Sequence, residues 1–352
     1  MKKLIVVAIA AVAMFASSAY AADWNFYGSA RIWTFSTDVE EIGTSDSDRN
    51  TNWELSPYSR IGANVKVSDE LSARFEYGTG VNLRLLYGEW NFGSGSLTIG
   101  QDYEPIYLAY SNQAYDGDGM GGTGDAYNGR SAQLKLKFGE FQVALLEPFS
   151  GDNSNGSYFP TSTGSEVTIP KIQARYTFRF DNGSARIVGG YNTYEETLGG
   201  NDVDITSYML GAGADFNFGA FRLAGNVVWG ENAAALMAVD ANNLDNAAGT
   251  QFDGMARVTA GGDDVNDSEI IGFQIIVGYT VNDMIGLEAG YGWIEEEVDN
   301  VSGDDEAANY YVQMPITLAP GVSVTPEVGF YDYEEDGQDE ITYFGAKWQI
   351  NF

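Results

Sequence analysis

Apolar and polar residues alternate along almost the whole chain, with a period of two. Between residues 170 and 194 every second residue is apolar, the residues between are mostly polar or charged, and Asp181-Asn182-Gly183-Ser184 interrupts the run. This alternation is typical of β-strands with one face in an apolar environment, and Asn-Gly favours a tight turn. The segment therefore predicts a hairpin whose strands have about ten residues, the length that a tilted strand needs to cross a bilayer.

The same unit recurs, so that seven hairpins are predicted, near residues 61–77, 84–101, 134–145, 170–194, 208–229, 271–293 and 310–330. A first strand near residues 24–37 and a last strand near residues 341–352 bring the prediction to 16 strands. Even strand numbers are the rule for bacterial membrane barrels. The pattern therefore predicts an all-β fold, a transmembrane antiparallel up-and-down β-barrel.

The predicted connections differ in length according to their end of the barrel. Turns inside the hairpins are short, whereas the links between hairpins are longer and polar; these links are 38–52, 78–82, 102–129, 148–169, 195–202, 231–269, 295–308 and 334–340. Short periplasmic turns and long external loops are typical of outer-membrane barrels.

Aromatic residues cluster where the strands are predicted to end, as expected for rings that prefer the level of the lipid headgroups. Those before the short turns are Phe92, Phe138, Phe180 and Phe218. Those near the long links are Tyr191, Tyr194, Trp229, Tyr291, Trp293, Tyr331 and Tyr333. The sequence thus predicts two aromatic girdles.

Residues 1–21 have the composition of a secretory signal peptide. Lys2 and Lys3 precede an apolar run from Leu4 to Ala16, and Ala19-Tyr20-Ala21 fits a cleavage site. The run is too short for a transmembrane helix, although an N-terminal anchor helix is the alternative. We expect a mature domain of residues 22–352, exported to the outer membrane of a Gram-negative bacterium.

The composition excludes several functions. The chain has no Cys and no His, so it has no Ser-His-Asp triad, no thiolate nucleophile and no His- or Cys-ligated metal. Its net charge of −32 argues against nucleic acid as a partner. No catalytic site, cofactor or tightly bound metal is predicted.

Basic residues of the predicted strands fall on the polar face, except Arg84, whose strand alternates poorly. Those expected to line the lumen are Lys135, Lys137, Lys171, Arg175, Arg179, Arg186 and Arg222. Carboxylates lie on the same face, at Glu76, Asp215, Glu288 and Glu327. Burying so many charges in a dry interior is costly, and a barrel of this size is wide enough for a channel. The interior is therefore expected to hold water and to conduct small polar solutes.

The third long link, residues 102–129, is rich in glycine and carboxylates. Its acidic residues are Asp102, Glu104, Asp116, Asp118 and Asp125. A loop folded into the lumen would set these carboxylates against the basic wall and form a constriction that selects by size and charge. The alternative is an ordinary solvated loop or loosely bound Ca²⁺, although no EF-hand spacing is present.

Several of these segments resemble the general bacterial porins of the trimeric, 16-stranded diffusion type. The similar segments are 59–71, 95–105 and the alternating C-terminal strand that ends at Phe352. The resemblance implies a homotrimer in outer-membrane lipid and lipopolysaccharide, an inward-folded third loop and passive diffusion. It further implies that loop acids face a set of wall arginines, namely Arg31, Arg60, Arg74, Arg84 and Arg130. Gln101 stands where the family often has arginine.

The charges give opposing indications of ion preference. The basic wall favours anions, whereas acidic external segments such as 295–297 and 304–306 should concentrate cations at the mouth. We expect a non-specific pore with a mild cation preference. Two alternatives remain open: a substrate-specific channel with Lys171, Arg175, Arg179 and Arg186 as an anion ladder, and a structural or adhesive barrel without transport.

Overall fold

The computed structural model describes residues 22–40, 47–115, 119–150, 162–237, 254–259, 261–333 and 340–352. The predicted signal peptide and two of the predicted loop acids, Asp116 and Asp118, lie outside these ranges. Within them the chain forms strands, three short 3₁₀ turns and no α-helix, and no helix is long and apolar enough to cross a membrane.

The strands follow one another as β1 (Asp23–Glu40), β2 (Ser47–Leu55), β3 (Arg60–Lys66), β4 (Leu71–Gly78), β5 (Leu83–Asn91), β6 (Ser96–Tyr103), β7 (Arg130–Phe138), β8 (Phe141–Leu146), β9 (Ser162–Glu166), β10 (Lys171–Phe180), β11 (Gly183–Leu198), β12 (Asn201–Phe218), β13 (Phe221–Glu231), β14 (Arg257–Val258), β15 (Val265–Asn266), β16 (Ser268–Thr280), β17 (Gly286–Val298), β18 (Asp305–Gln313), β19 (Ile316–Ala319), β20 (Val322–Tyr333) and β21 (Glu340–Asn351). The 3₁₀ turns are Thr79–Val81, Met120–Gly122 and Ala233–Ala235.

These strands close into an antiparallel barrel. The last strand, β21, pairs with β1 from Ser29↔Asn351 to Glu40↔Glu340, and β1 pairs on its other edge with β2 and β3. Three pairs, β2 with β3, β9 with β10, and β18 with β19, are interrupted halves of single wall strands, and β14 and β15 form a small separate hairpin. The wall therefore has 16 strands, which confirms the predicted fold.

The alternation separates the two faces of this wall. On β10, Ile172 and Phe178 are exposed on the outside, while Gln173 between them points inward and is fully buried. Aromatic rings of neighbouring strands contact each other at both ends, for example Phe92 with Phe138 and Tyr208 with Trp229. An apolar outer surface with aromatic rims is what lipid on that side requires.

Three residues assigned to the outer aromatic girdle lie elsewhere, so that part of the prediction is wrong. Tyr331 and Tyr333 are inward residues of β20 and belong to an apolar cluster inside the barrel, and Tyr194 belongs to a second cluster with Leu198 and Ile205. Each ring lies near a strand end as predicted, but its position along the strand places it on the inner face.

The predicted long link at 195–202 is also wrong. Strands β11 and β12 continue in register to Leu198↔Asn201, and only Gly199 and Gly200 form the turn. The outward Glu195 and Asp204 gave this segment its loop-like polarity. Backbone pairing is independent of side-chain polarity, so strands continue where the outer face is polar, and the inward apolar residues pack in the second cluster.

The interior differs from the water-filled lumen that the sequence predicted, because part of it is packed. The first apolar cluster joins wall residues such as Val188, Val228 and Ile276 to Ile106 and Leu108 of the long connection between β6 and β7. A cavity of about 490 Å³ near the short turns is lined by residues of β1, β3, β4 and β5.

Candidate functional site: the constriction

The connection between β6 and β7, residues 104–129, is called loop 3 here, and its described residues 104–115 and 119–129 lie inside the barrel. It leaves β6 and returns to β7, which are adjacent wall strands, yet its middle contacts strands on the far side of the barrel. An extended segment inside a barrel has backbone groups without sheet partners, and these need hydrogen bonds from the wall. The wall supplies them at a series of inward polar side chains.

Glu288 on β17 is the first of these anchors. Its carboxylate accepts hydrogen bonds from the backbone N–H of Asn112 (3.0 Å) and from the Asn112 side chain (2.8 Å). It also accepts from the Tyr311 hydroxyl (2.8 Å) and the Gln313 amide (2.9 Å), and pairs with Arg222 (3.0 Å). With only 8% of its surface exposed, Glu288 is a buried and well-satisfied carboxylate that holds the middle of the loop.

Glu327 on β20 is the second anchor. It accepts hydrogen bonds from the successive backbone N–H groups of Ala114 and Tyr115, the latter at 2.9 Å. The neighbouring Gln113 donates to the Tyr343 hydroxyl (2.6 Å) and to Asn309 (3.0 Å). Together the two carboxylates fix residues 112–115 against the far wall.

The returning limb of loop 3 is held through its carbonyl groups. Gln274 on β16 donates to the Thr123 carbonyl (2.9 Å), Asn309 donates to that of Met120 (3.2 Å), and Asn226 donates to that of Gly124. Inward glycines make this approach possible. A Cβ on Gly292 would lie 2.5 Å from the Thr123 oxygen.

The base of loop 3 is fixed by Glu104, which is 2% exposed. Its carboxylate pairs with the Lys171 ammonium (2.9 Å) and accepts hydrogen bonds from Gln173 and Ser131. Glu104, predicted as an acid of the constriction loop, and Lys171, predicted as a base lining the lumen, therefore neutralise each other in a buried site.

The basic wall carries its own counter-charge. Glu76 on β4, 1% exposed, lies within ion-pair distance of Arg84 (2.6 Å), Arg74 (3.3 Å) and Arg60 (3.7 Å). Arg84 points inward because the register shifts beside it: Glu76 faces Leu85 whereas Tyr77 faces Leu83. This β-bulge explains the poor alternation of its strand.

Three of the other predicted lumen bases, Lys135, Arg179 and Arg222, also have acidic partners. Lys135 pairs with Asp102, a residue of β6 rather than of the loop. Arg222 pairs with Asp215 (2.9 Å) and Glu288, and donates to the Tyr110 carbonyl (2.8 Å). At the short-turn end Arg179 pairs with Glu140 (2.8 Å), and Lys137 is exposed.

Three arginines on the inner wall form no ion pair among the described residues. Arg130 and Arg186 lie over the rings of Tyr103 and Tyr110, and Arg175 donates to Gln142 (2.8 Å). Arg31 is buried in β1, where its Nε donates to Ser29 (3.1 Å).

The last described loop acid, Asp125, is 2% exposed. The described part of the chain contains no group of three acidic side chains arranged to hold a metal ion. The sequence placed Glu76, Glu288 and Glu327 on the inner face but did not identify their partners. One sequence feature does mark such a site: the glutamate is followed, at the next inward positions of its strand, by glycines that leave room for a loop, as Glu288 is by Gly290 and Gly292.

Comparison with known proteins agrees with this architecture. The family model of the Gram-negative porins matches residues 8–336. No relative was found among curated protein sequences. The outer membrane channel DcaP of Acinetobacter baumannii has a similar structure, with a TM-score of 0.69 at 17% identity, over 94% of this chain and 97% of that chain.

Two further structures share the fold. Salmonella typhi OmpF, in complex with daunomycin, gives a TM-score of 0.61 at 13% identity, over 93% of this chain and 97% of that one. An anion-selective porin from Comamonas acidovorans gives 0.60 at 12% identity, over 94% and 100%. With a closed 16-stranded barrel, an internal loop and a family match over most of its length, the chain belongs to the Gram-negative porins, which form outer-membrane channels for passive diffusion.

Proposed function

We propose that this porin is a general diffusion channel for small hydrophilic solutes and ions, with a mild cation preference and no enzymatic role. The observation that carries the proposal is the way in which loop 3 narrows the lumen while most wall bases are paired with carboxylates. Glu76, Asp102 and Glu104 cancel much of the positive charge of the inner wall. The acidic external loops at the mouth of the barrel therefore set the ion preference. Carboxylates there concentrate cations at the mouth.

The cellular setting belongs to the same proposal. Residues 1–21 act as a cleaved signal peptide, the long loops face outward, and the apolar outer surface contacts lipid and lipopolysaccharide. OmpT of Vibrio cholerae, which shares the fold (TM-score 0.57, 15% identity, over 94% of this chain and all of that one), is known in a trimer form. A homotrimer is our expectation for this chain as well.

Planar-bilayer recording of the purified protein tests the proposal. We expect stable channels whose reversal potential in a KCl gradient has the sign of a weak cation preference. A solute that blocks the current at micromolar concentration would contradict non-specific diffusion. A folded protein that conducts no ions would favour the structural or adhesive alternative.

The second candidate, an anion-selective channel, is favoured by Arg130, Arg175 and Arg186. These inner-wall guanidinium groups have no carboxylate partner among the described residues, and they fit the anion ladder considered from the sequence. A reversal potential of the opposite sign, moved toward zero by Arg175→Gln together with Arg186→Gln, would support this candidate.

A further inference from the structure

The connection between β13 and β16, residues 232–267, is called loop 6 here, and its described residues 233–237 lie inside the barrel. Its described first part turns inward at Ala233–Ala235, and Ala233, Ala235, Leu236 and Met237 are almost fully buried. They belong to the same apolar cluster as Ile106 and Leu108 of loop 3. The two loops therefore share one packed core inside the barrel.

The entry of loop 6 is fixed to the wall at Asn232, which has a left-handed backbone with φ 48°. Its side chain donates to the Thr206 carbonyl (3.0 Å) and to Asp267 (2.7 Å), and accepts from the backbone N–H of Ser268 (3.0 Å). Leu236 then lies over Gly190, where a Cβ would be 2.9 Å from the leucine side chain. This arrangement directs the turn onto β10 and β11.

Among the described residues, the Ala235 carbonyl is the polar group that joins this turn to loop 3. The Ala235 carbonyl accepts hydrogen bonds from the Lys171 ammonium (3.2 Å) and from the Asn128 side chain of loop 3 (3.1 Å). The same ammonium pairs with Glu104 at the base of loop 3. Lys171 is 3% exposed, so its charge is satisfied by the two loops rather than by water.

We propose that the constriction is built from both loops, and that Lys171 is a positioning residue that holds loop 3 and the 233–237 turn of loop 6 together as one rigid body. Its ammonium has three donors, and one residue can therefore serve Glu104 and Ala235 at once. Without it, Glu104 keeps only the neutral donors Gln173 and Ser131 among the described residues, and the 233–237 turn keeps only the Asn128 hydrogen bond to loop 3. A buried ion pair that loses one member destabilises its surroundings strongly.

Single-channel recording of Lys171→Met tests this role, with Lys135→Met as the matched control. Each variant removes one positive charge from the inner wall and leaves one carboxylate, Glu104 or Asp102, without its lysine. Lys135 has no bond to loop 6 in the described structure. We expect both variants to shift the reversal potential in the same direction, but only Lys171→Met to add rapid partial closures, and Lys171→Arg to remove them.

Two further variants keep the test decisive if Lys171→Met folds poorly. Lys171→Met with Glu104→Gln contains no uncompensated buried charge, and it should still show the closures because the bond to Ala235 is lost. A short thiol cross-linker between Asn128→Cys and Ala235→Cys, added to this background in a chain without native cysteine, should suppress them. Closures equal to those of Lys135→Met, or closures that persist after cross-linking, would overturn the proposal.

Discussion

The inner surface of the barrel consists of two contrasting walls. The open wall, β3 to β5, carries large basic side chains and borders a cavity of about 490 Å³. The covered wall, β10 to β21, carries inward glycines, carboxylates and amides, and is packed against loops 3 and 6. Both walls have the same apolar outer face, because both contact lipid on that side. The difference shows that the shape of the pore is decided by side-chain size on the inner face.

The chemistry of each wall follows from what it contacts. A loop backbone brings N–H and C=O groups that must be satisfied, so the covered wall offers carboxylates to the N–H groups and amides to the carbonyls. The open wall carries long charged side chains, and these are satisfied by partners on the wall itself, as Glu76 is by its three arginines. A substitution should therefore have different consequences on the two walls.

The largest effect is expected from Glu288→Ala on the covered wall. It removes the partner of Asn112, Tyr311 and Arg222 together, and breaking such a buried network costs about 3–5 kcal/mol. We expect an earlier urea midpoint in folded vesicle-bound protein and a larger, noisier conductance as loop 3 detaches. Glu70→Ala in the exposed β3–β4 turn is the control. Equal urea midpoints for the two variants would refute the role of Glu288 in holding loop 3.

Gly292→Ala should have the next largest effect. The added Cβ meets the Thr123 carbonyl of loop 3 at 2.5 Å, and forcing a methyl group into a packed site costs about 1–3 kcal/mol. Unfolding curves and conductance should both change, whereas Gly88→Ala, where the nearest atom is 3.8 Å away, should change neither. Equal unfolding midpoints and conductances for the two variants would show that loop 3 is not tightly packed against Gly292.

On the open wall, Glu76→Gln should change ion selectivity as well as stability. It leaves Arg60, Arg74 and Arg84 without their shared carboxylate. A unit charge about 4 Å from a permeating ion contributes about 1 kcal/mol in water, so the anion-to-cation permeability ratio should rise by up to about fivefold. Glu89→Gln removes a charge from the neighbouring strand, where Glu89 contacts only Thr98 in the described structure. A shift no larger than that of Glu89→Gln would contradict the role of Glu76.

The smallest effect is expected at the Glu140–Arg179 pair of the exposed β7–β8 turn. The hydrogen bond from Arg179 lowers the pKa of Glu140. A lowered pKa in the folded state stabilises the protein above the ordinary carboxyl value of about 4.3, and this stabilisation is lost as the pH falls toward the folded value. Glu140→Gln should flatten the acid side of the stability profile slightly, because exposed pairs contribute little. A large loss of stability at neutral pH in Glu140→Gln would show that this ion pair contributes more than an exposed surface pair.

Most of the fold was predictable from the sequence because lipid imposes a strict period of two. The turn at Asp181-Asn182 and the hairpin predicted near residues 208–229 appear where the pattern placed them. The extension of β11 and β12 beyond Glu195 was missed, because polar residues on an outer face outside the membrane resemble a loop. The bulge at Arg84 disturbed the alternation without revealing which way the arginine points.

The site was less predictable because its contacts join residues that are far apart in sequence. Asn112 and Glu288, or Lys171 and Ala235, meet only once the barrel has closed and the loops have entered it. The same fact explains why Glu104 was assigned to the open channel. Its sequence context is that of a solvated acidic loop, and only the position of Lys171 shows that it is buried.

Thiol accessibility compares the two walls most directly, since the chain has no native cysteine. Asn64→Cys replaces an exposed inward residue of the open wall, and Asn309→Cys replaces a residue of the covered wall that is 0% exposed beneath loop 3. A charged methanethiosulfonate reagent applied to open channels should react quickly at position 64 and reduce the current, and should leave position 309 unmodified. Equal reaction at both positions would contradict the division of the lumen into an open and a covered wall.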